Sequence, residues 1–287
     1  MALTTIPFRQ GYTIVPYEIS IAGIVTFTDG TNTGIAPNQN QCEAYGYTYD
    51  EAQGVCRAQT FTPKISRAME NLNNTIRGNG NELGIGINNT VIVGENNTLK
   101  GLSRNTIIVG NANEIVRGVN NSVVLGTLGE VTTENSIVLG ANNTATDILG
   151  QRQSIQLIYG VQTTDNSTID SYLNNTSGSY FEVPEDSAIY FQSETLALRV
   201  GGSGAGSAGD FKAWVERGVV VNDGGTLSID RSRTSPASSG TTTGWSPINA
   251  VSGTNFQQTV KGATDMTIDW VSNIRITQMK PRGGFPS

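Results

Sequence analysis

The chain has 287 residues and a net charge of −6, with 37% hydrophobic and 15% charged residues, and it contains no histidine. These values exclude a strongly basic nucleic-acid-binding surface, His-dependent catalytic triads and the usual zinc ligand, so we expect no nucleic-acid partner, metal or cofactor. No apolar run reaches the roughly 18 residues that a membrane-spanning helix requires, so membrane insertion is not expected.

Residues 1–65 are predicted to form an N-terminal region around a cysteine-bounded loop. Cys42 and Cys56 enclose three alternating tyrosines. Two thiols without histidine cannot complete a tetrahedral zinc site within one chain, so a disulfide is the favoured interpretation and two free thiols are the alternative. Alternating residues share one face of an extended segment, which makes the tyrosines candidate glycan contacts. They are Tyr45, Tyr47 and Tyr49.

Residues 66–162 contain a short repeat that predicts a shaft of stacked β-strands. An Asn followed by Ser or Thr, three apolar residues and Gly occurs at Asn89–Gly94, Asn105–Gly110, Asn121–Gly126 and Asn135–Gly140. The final glycines advance by 16, 16 and 14 residues, and weaker units lie between them. Apolar residues consequently recur every eight positions, for example at Val91, Leu99 and Ile107.

The repeat favours an Asn/Gly-rich β-roll or β-helix. Gly and Asn tolerate positive φ, so each unit predicts one strand and one corner. Stacked turns would bury one face on their own core and present another to partner chains, with the asparagines in ladders. Pro63–Asn73 has helical apolar spacing and is predicted to cap the first turn or to pack against copies of itself around an axis.

The C-terminal part is predicted to be a separate all-β module. Residues 163–180 are polar and indicate a connector, and residues 281–287 indicate a tail. Between them, residues 181–280 contain seven or eight short alternating runs separated by Gly/Ser turns, which is typical of a jelly-roll-like β-sandwich. Trp245 lies in a Gly/Ser/Thr-rich segment and is the candidate sugar-stacking tryptophan, whereas the other two tryptophans lie in apolar runs.

The acidic residues provide no convincing catalytic pair. Asp265 and Asp269 share one face of a predicted strand, with Cα atoms about 13 Å apart. A glycosidase requires two carboxylates separated by roughly 5–9.5 Å across the sugar. Glu182, Glu185 and Asp186 are expected to be solvated groups at strand ends. No catalytic residue is therefore predicted, and the protein is expected not to be an enzyme.

Two parts of the sequence resemble known families. Asn135–Ala141 (NSIVLGA) resembles the head repeat of trimeric autotransporter adhesins and the roll segments of phage fibres. Gly209–Trp214 and Val260–Met279 resemble the terminal β-sandwich of phage tail-fibre proteins. An adhesin is expected to carry a signal peptide, and the first residues lack the basic and apolar regions of one, which favours the phage resemblance.

The resemblance implies an intertwined homotrimer that forms a fibre or spike subunit of a bacteriophage virion. Such a protein would be made in the host cytoplasm and carried on the extracellular particle. Residues 1–65 would attach to other virion proteins, such as those of the capsid, portal, neck or tail, and the C-terminal module would contact host-surface polysaccharide. A capsid-bound decoration or head-fibre protein without a receptor role is the alternative, and a polysaccharide depolymerase tailspike is a further one.

Overall fold

The structure is a computed structural model that describes residues 11, 13–20, 23–51, 53–58, 71–173, 176–283 and 285. The chain divides into two compact units, Met1–Ala68 and Met69–Ser287. The helix predicted for Pro63–Asn73 lies, up to residue 70, outside the described residues. Strands dominate both units, and within the described ranges no helix is long and apolar enough to cross a membrane.

The described part of the first unit is a small β-structure with one helix and one disulfide. Its elements are β1 (Val15–Ile19), β2 (Val25–Thr28), α1 (Gln39–Ala44), β3 (Thr48–Asp50) and β4 (Val55–Arg57). Strand β1 pairs with β2, and β3 with β4, both antiparallel. Helix α1 begins after Asn38, whose side chain accepts from the Gln41 backbone N–H, while the Gln41 side chain accepts from the Asn38 N–H. The core surrounds Phe27, which is fully buried.

The second unit opens with a β-solenoid of about four turns. Its strands are β5 (Thr75–Arg77), β6 (Glu82–Leu83), β7 (Val91–Glu95), β8 (Thr98–Leu99), β9 (Ile107–Asn111), β10 (Glu114–Ile115), β11 (Val123–Thr127), β12 (Glu130–Val131) and β13 (Ile137–Gly140). Odd-numbered strands stack in parallel on one side and even-numbered strands on another. The register passes from Val91 to Ile107, Val123 and Ile137, which are the steps of 16, 16 and 14 residues that the repeat predicts.

Each turn of the solenoid buries apolar residues from both sides. On the longer strands the second residue points inward, and these residues are at most 1% exposed: Ile92, Ile108, Val124 and Val138. The shorter strands contribute Leu99, Ile115 and Val131, all fully buried. The apolar positions that recur every eight residues therefore alternate in direction, because Leu99 points inward whereas Val91 and Ile107 point outward.

Asparagines form the predicted ladders. In the inner ladder, Asn97 Nδ2 donates to Asn81 Oδ1 at 3.0 Å, and Asn113 Nδ2 donates to Asn97 Oδ1 at 3.1 Å. The backbone N–H of Gly129 ends this ladder by donating to Asn113 Oδ1 at 2.8 Å. A second ladder runs along the corners, where one asparagine per turn has a φ of 52–54°: Asn89, Asn105 and Asn121.

Among the described residues, nine strands follow the solenoid. They are β14 (Arg152–Thr163), β15 (Thr168–Leu173), β16 (Phe181–Glu182), β17 (Ser187–Gly201), β18 (Phe211–Asp223), β19 (Thr226–Ser239), β20 (Ser246–Ser252), β21 (Asn255–Lys261) and β22 (Thr267–Met279). Strand β14 pairs antiparallel with the last solenoid strand, β13, and with β22, so the order β19-β18-β17-β22-β14 extends the solenoid sheet. The segment predicted as a connector contains β15, which pairs with β14 and β21.

A smaller group of strands, β15, β16, β20 and β21, packs over this sheet. Tyr159 joins the two layers, since its hydroxyl donates to the Phe256 carbonyl at 3.3 Å and accepts from the Phe181 N–H at 3.0 Å. Burial raises the pKa of the Tyr159 phenol well above its usual value. The sequence predicts a separate jelly-roll-like sandwich over residues 181–280, whereas the structure joins these strands to the solenoid, whose open edge at β13 is covered by β14.

A buried arginine organises the glycine-rich loop that follows β17. Arg199 is 3% exposed, and its guanidinium donates to the carbonyls of Gly201, Gly202, Gly204 and Ala205 at 2.6–3.0 Å. These hydrogen bonds wrap the loop backbone around a charge that cannot remain buried without partners.

Candidate functional site

The cysteine-bounded loop is a structural part of the first unit. Cys42 and Cys56 form a disulfide with Cα atoms 5.6 Å apart, and both residues are buried. All three candidate tyrosines are half-buried against the core of this unit. The Tyr45 hydroxyl donates to the Ile14 carbonyl at 2.9 Å, and its ring packs edge-on against Phe27. Much of the aromatic surface proposed for glycan contact, on Tyr45, Tyr47 and Tyr49, therefore serves internal packing.

The structure corrects the expected exposure of Trp245. Its side chain is 3% exposed, and its ring centroid lies 6.3 Å from that of Trp270, which stacks in turn on Trp214 at 5.7 Å. The turn that precedes β20 folds the side chain inward; in this turn the backbone N–H of Trp245 donates to the Thr242 carbonyl at 3.4 Å. The polar composition of the segment predicts an exposed ring. Because the ring is buried, it offers no open face to a sugar.

The carboxylates considered from the sequence are dispersed. Asp265 lies in the turn before β22, and Asp269 is exposed on β22, where it accepts from Gln162 Nε2 at 2.7 Å. Glu182 accepts from the Thr254 hydroxyl, and Asp186 from the Gly224 N–H. In the part of the chain that the structure describes, no group of three or more Cys, Asp or Glu residues is arranged to hold a metal ion.

A polar cleft beneath strand β19 is the strongest candidate site. We call it the arginine cleft, a cavity of about 240 Å³ lined by Glu216, Arg231, Arg233 and Ile248. Residues 230–241 are exposed, and β19 is the edge strand of its sheet. In the β18–β19 register, Glu216 pairs with Arg233, and Arg231 pairs with Gly218, so both arginines lie on the same side of the sheet as Glu216.

Glu216 is fixed at the base of the arginine cleft. It is 3% exposed, and its Oε1 accepts from Arg231 Nη1 at 2.9 Å. Its Oε2 accepts from Asn249 Nδ2 at 3.0 Å. Asn249 Oδ1 accepts in turn from Gln258 Nε2 at 3.2 Å, and Gln258 also donates to Ser193 on the opposite strand. This buried network gives the carboxylate one position and, through it, orients Arg231.

The two guanidiniums retain open donors. Among the described residues, Arg231 donates to Glu216, and Arg233 donates to the Ser246 hydroxyl at 2.9 Å and to the Pro247 carbonyl. A guanidinium has five N–H donors, so most of the ten are available to a ligand. Planar guanidinium groups bind carboxylates and paired oxygens through two parallel hydrogen bonds, which makes an acidic, oxygen-rich ligand the best chemical match.

Sequence reasoning did not identify the arginine cleft. The available signal was the alternation of Arg231 and Arg233 in Asp-Arg-Ser-Arg-Thr, which places both side chains on one face of a strand. Glu216 reaches the two arginines only because that strand pairs with β18, with Glu216 opposite Arg233. This register has no local sequence motif.

No protein-family model matches the chain, and no curated protein matches it. Among solved structures, it is similar to the tailspike protein of Acinetobacter baumannii phage AM24, with 10% identity over 74% of this chain and 50% of that one, at a TM-score of 0.27. The tailspike protein of Acinetobacter phage vB_ApiP_P1 gives 10% identity over 74% of this chain and 54% of that one, at a TM-score of 0.21. Tailspike gp49 of Acinetobacter baumannii bacteriophage Fri1 is described as a capsular polysaccharide depolymerase. It gives 12% identity over 74% of this chain and 48% of that one, at a TM-score of 0.25.

The similar structures are phage tailspikes and the chain is a β-solenoid, as the resemblance to phage fibre and spike proteins predicts. The match spans about half the length of each tailspike. The prediction that the chain is not an enzyme is wrong on this comparison, because one of these tailspikes is described as a depolymerase. The prediction relied on carboxylates close together in sequence, whereas the structure brings Glu216 into a cleft by strand pairing.

Proposed function

We propose that this chain is a homotrimeric tail-spike or tail-fibre subunit of a bacteriophage, carried on the virion, and that its arginine cleft binds acidic host-surface polysaccharide. The observation that carries the ligand assignment is the pair of guanidiniums, Arg231 and Arg233, held over the buried Glu216 with most of their donors open. The β-solenoid supports a role as a stiff shaft, because its stacked turns share one continuous core.

The charge distribution supports an acidic ligand. The chain as a whole carries a net charge of −6, so two adjacent arginines on one exposed strand are a local exception. Sugar acids present a planar carboxylate beside hydroxyl groups, a pattern that guanidinium donors match in both charge and geometry. Trimerisation would multiply weak contacts into higher avidity for a repetitive polymer.

The ligand assignment is tested by titrating acidic capsular oligosaccharides into the protein in a calorimeter. We expect Arg233→Gln to weaken binding at least tenfold, because a charge-assisted hydrogen bond contributes about 1.5–3 kcal/mol. Arg217→Gln is the matched control, since Arg217 lies on β18 but on the other side of the same hairpin. Equal affinities of the wild type and Arg233→Gln would contradict the assignment.

Cleavage of the bound polysaccharide is a second candidate function, favoured by the carboxylate of Glu216 at the base of the arginine cleft. Glycan hydrolysis usually requires two carboxylates, and Glu216, which is 3% exposed, would supply one of them. We expect the wild type to release reducing ends from the polymer and Glu216→Gln to bind without releasing them. Absence of release by the wild type would remove this candidate and leave binding alone.

Attachment to other virion proteins is proposed for the first unit. Its support is that Met1–Ala68 forms a compact unit of its own with a disulfide-linked core. Deletion of residues 1–68 should prevent incorporation into particles while retaining glycan binding. Particles that still carry the shortened chain would show that another part attaches it.

A further inference from the structure

We propose that copies of this chain associate through the outward side of the solenoid sheet; this inference rests on the proposed multi-subunit spike and names its contact surface. Two columns of side chains run up this side, one residue before and one after each buried core residue of the long strands. We call them the apolar columns: Val91, Val93, Ile107, Val109, Val123, Leu125, Ile137 and Leu139.

The apolar columns point away from the core of their own chain. Val93 is 38% exposed and Leu125 37%, whereas Ile92 and Val124, their neighbours on the same strands, are fully buried. Leu139 in the last solenoid strand is the most exposed residue of the columns, at 50%. Neither column contains a charged residue between β7 and β13, and Arg77 of β5 stands beside Val93 at the first end.

A sheet side that meets water normally carries polar side chains at alternate positions. The same sheet provides the comparison, because the outward residues of edge strand β19 are polar: Ser228, Asp230, Ser232 and Thr234. The solenoid strands instead place branched apolar residues on both sides. This pattern is typical of strands that are covered on both faces.

The interface would extend from the columns onto the continuing strands of the same sheet. Their outward side adds the apolar residues Ile158, Leu196, Leu198, Val200 and Val271, which are 41–57% exposed, with polar and charged residues such as Gln156, Glu194 and Arg275 between them. A typical stable complex buries roughly 800 Å² per partner, so the contact that we propose has the columns as its apolar centre and this mixed surface as its margin.

The occupant that fits is a second copy of the chain. The columns repeat at the spacing of parallel strands, about 4.8 Å, so an identical surface presents side chains at the same interval and can interdigitate turn by turn. A polysaccharide requires hydrogen-bonding groups, and the columns provide none. The arginine cleft lies on the other side of the sheet, because Glu216 alternates with the outward-facing Val215 and Arg217, so the two surfaces do not compete.

The test is the molar mass of the full chain, measured by light scattering. We expect the wild type to have a multiple of 30.4 kDa and Val93→Glu/Leu125→Glu to have the mass of one chain, with an unchanged circular dichroism spectrum. Ile85→Glu/Ile148→Glu is the matched control, because both isoleucines are exposed outside the strands, at 56% and 44%. The control should retain the wild-type mass.

Each outcome decides the proposal. A wild type that is a single chain overturns self-association, and an oligomer that survives both glutamates overturns the choice of surface while leaving a multi-subunit spike intact. If the glutamate variant does not fold, Val93→Thr/Leu125→Thr is the second test, because threonine is compatible with a strand. The threonine variant should dissociate at a protein concentration at least tenfold higher than the wild type. An unchanged dissociation concentration would overturn the choice of this surface. Polysaccharide binding measured on the same samples reports separately on the arginine cleft.

Discussion

At the scale of single residues, the inner asparagine ladder resolves a conflict between burial and polarity. Asn113 is fully buried, yet its side-chain amide group is satisfied on both sides. Its Nδ2 donates to Asn97 and to the Gly126 carbonyl, and its Oδ1 accepts from the Gly129 N–H. An amide supplies both a donor and an acceptor, which allows the same residue to be repeated turn after turn.

Asn113→Leu should destabilise the solenoid by about 2–4 kcal/mol, because a side chain of similar size replaces the amide and three buried hydrogen bonds are lost. The Gly129 N–H and the Gly126 carbonyl lose this partner, whereas Asn97 Oδ1 still accepts from the Asn113 backbone N–H. The measurement is urea unfolding followed by circular dichroism. Asn111→Leu is the control, since Asn111 is exposed at the end of the same turn, and it should change the unfolding free energy by less than about 0.5 kcal/mol. Equal effects of the two substitutions would mean that the ladder contributes no specific stability.

Two glycines separate the effect of backbone conformation from that of stacking. Gly110 and Gly118 both have positive φ, at +136° and +81°. A Cβ on Gly110 would collide with the carbonyl of Gly126 in the next turn, whereas a Cβ on Gly118 would meet open space. We expect Gly118→Ala to cost about 1–2 kcal/mol in unfolding free energy, from conformation alone. Gly110→Ala should cost clearly more or prevent folding, and a smaller cost than that of Gly118→Ala would contradict close stacking at this corner.

At the scale of elements, the sequence predicted the solenoid because its repeat is local. Each turn repeats the Asn-Ser/Thr, apolar, Gly pattern, and parallel stacking in steps of 16 follows from that period. The C-terminal sheet was harder to predict because its pairings span long distances in sequence: β14 pairs with β22 from Arg152↔Met279 to Thr163↔Ile268. Alternation of apolar residues predicts such strands but does not specify their partners.

The candidate site was missed for the same reason. The cleft joins Glu216, Arg231 and Ile248 from three strands, and only the two arginines share a local pattern. Trp245 shows the reverse error, since its surroundings in sequence are polar but its ring packs on Trp270, a residue 25 positions away. Local composition is a poor guide to exposure when a turn folds a large ring back onto a sheet.

The disulfide provides a prediction for the first unit. Cys42 and Cys56 link α1 to β4 and close a loop of 14 residues. Replacing both cysteines with serine should lower the stability of this unit by about 3 kcal/mol. Differential scanning calorimetry should show its transition at a lower temperature, with the transition of residues 69–287 as the internal control. An unchanged first transition would show that packing around Phe27 holds this unit without the link.

At the scale of the whole molecule, the extended sheet has two sides with different chemistry. One side carries the apolar columns, and the other carries the core and, at its far edge, the arginine cleft. Assembly through one side would leave every cleft in the oligomer accessible. Several weak sites on a rigid support are suited to a repetitive polymer, because each bound site raises the effective concentration of ligand at the next.

The most direct test of the account is a binding screen of the wild-type chain against purified capsular polysaccharides, neutral and uronate-containing, at several salt concentrations. We predict binding to the acidic polymers that weakens as salt rises, since exposed charge pairs are screened, and no binding to neutral ones. Binding to neutral polymers alone, or binding to acidic ones that salt does not affect, would contradict recognition of acidic polysaccharide by the arginine cleft.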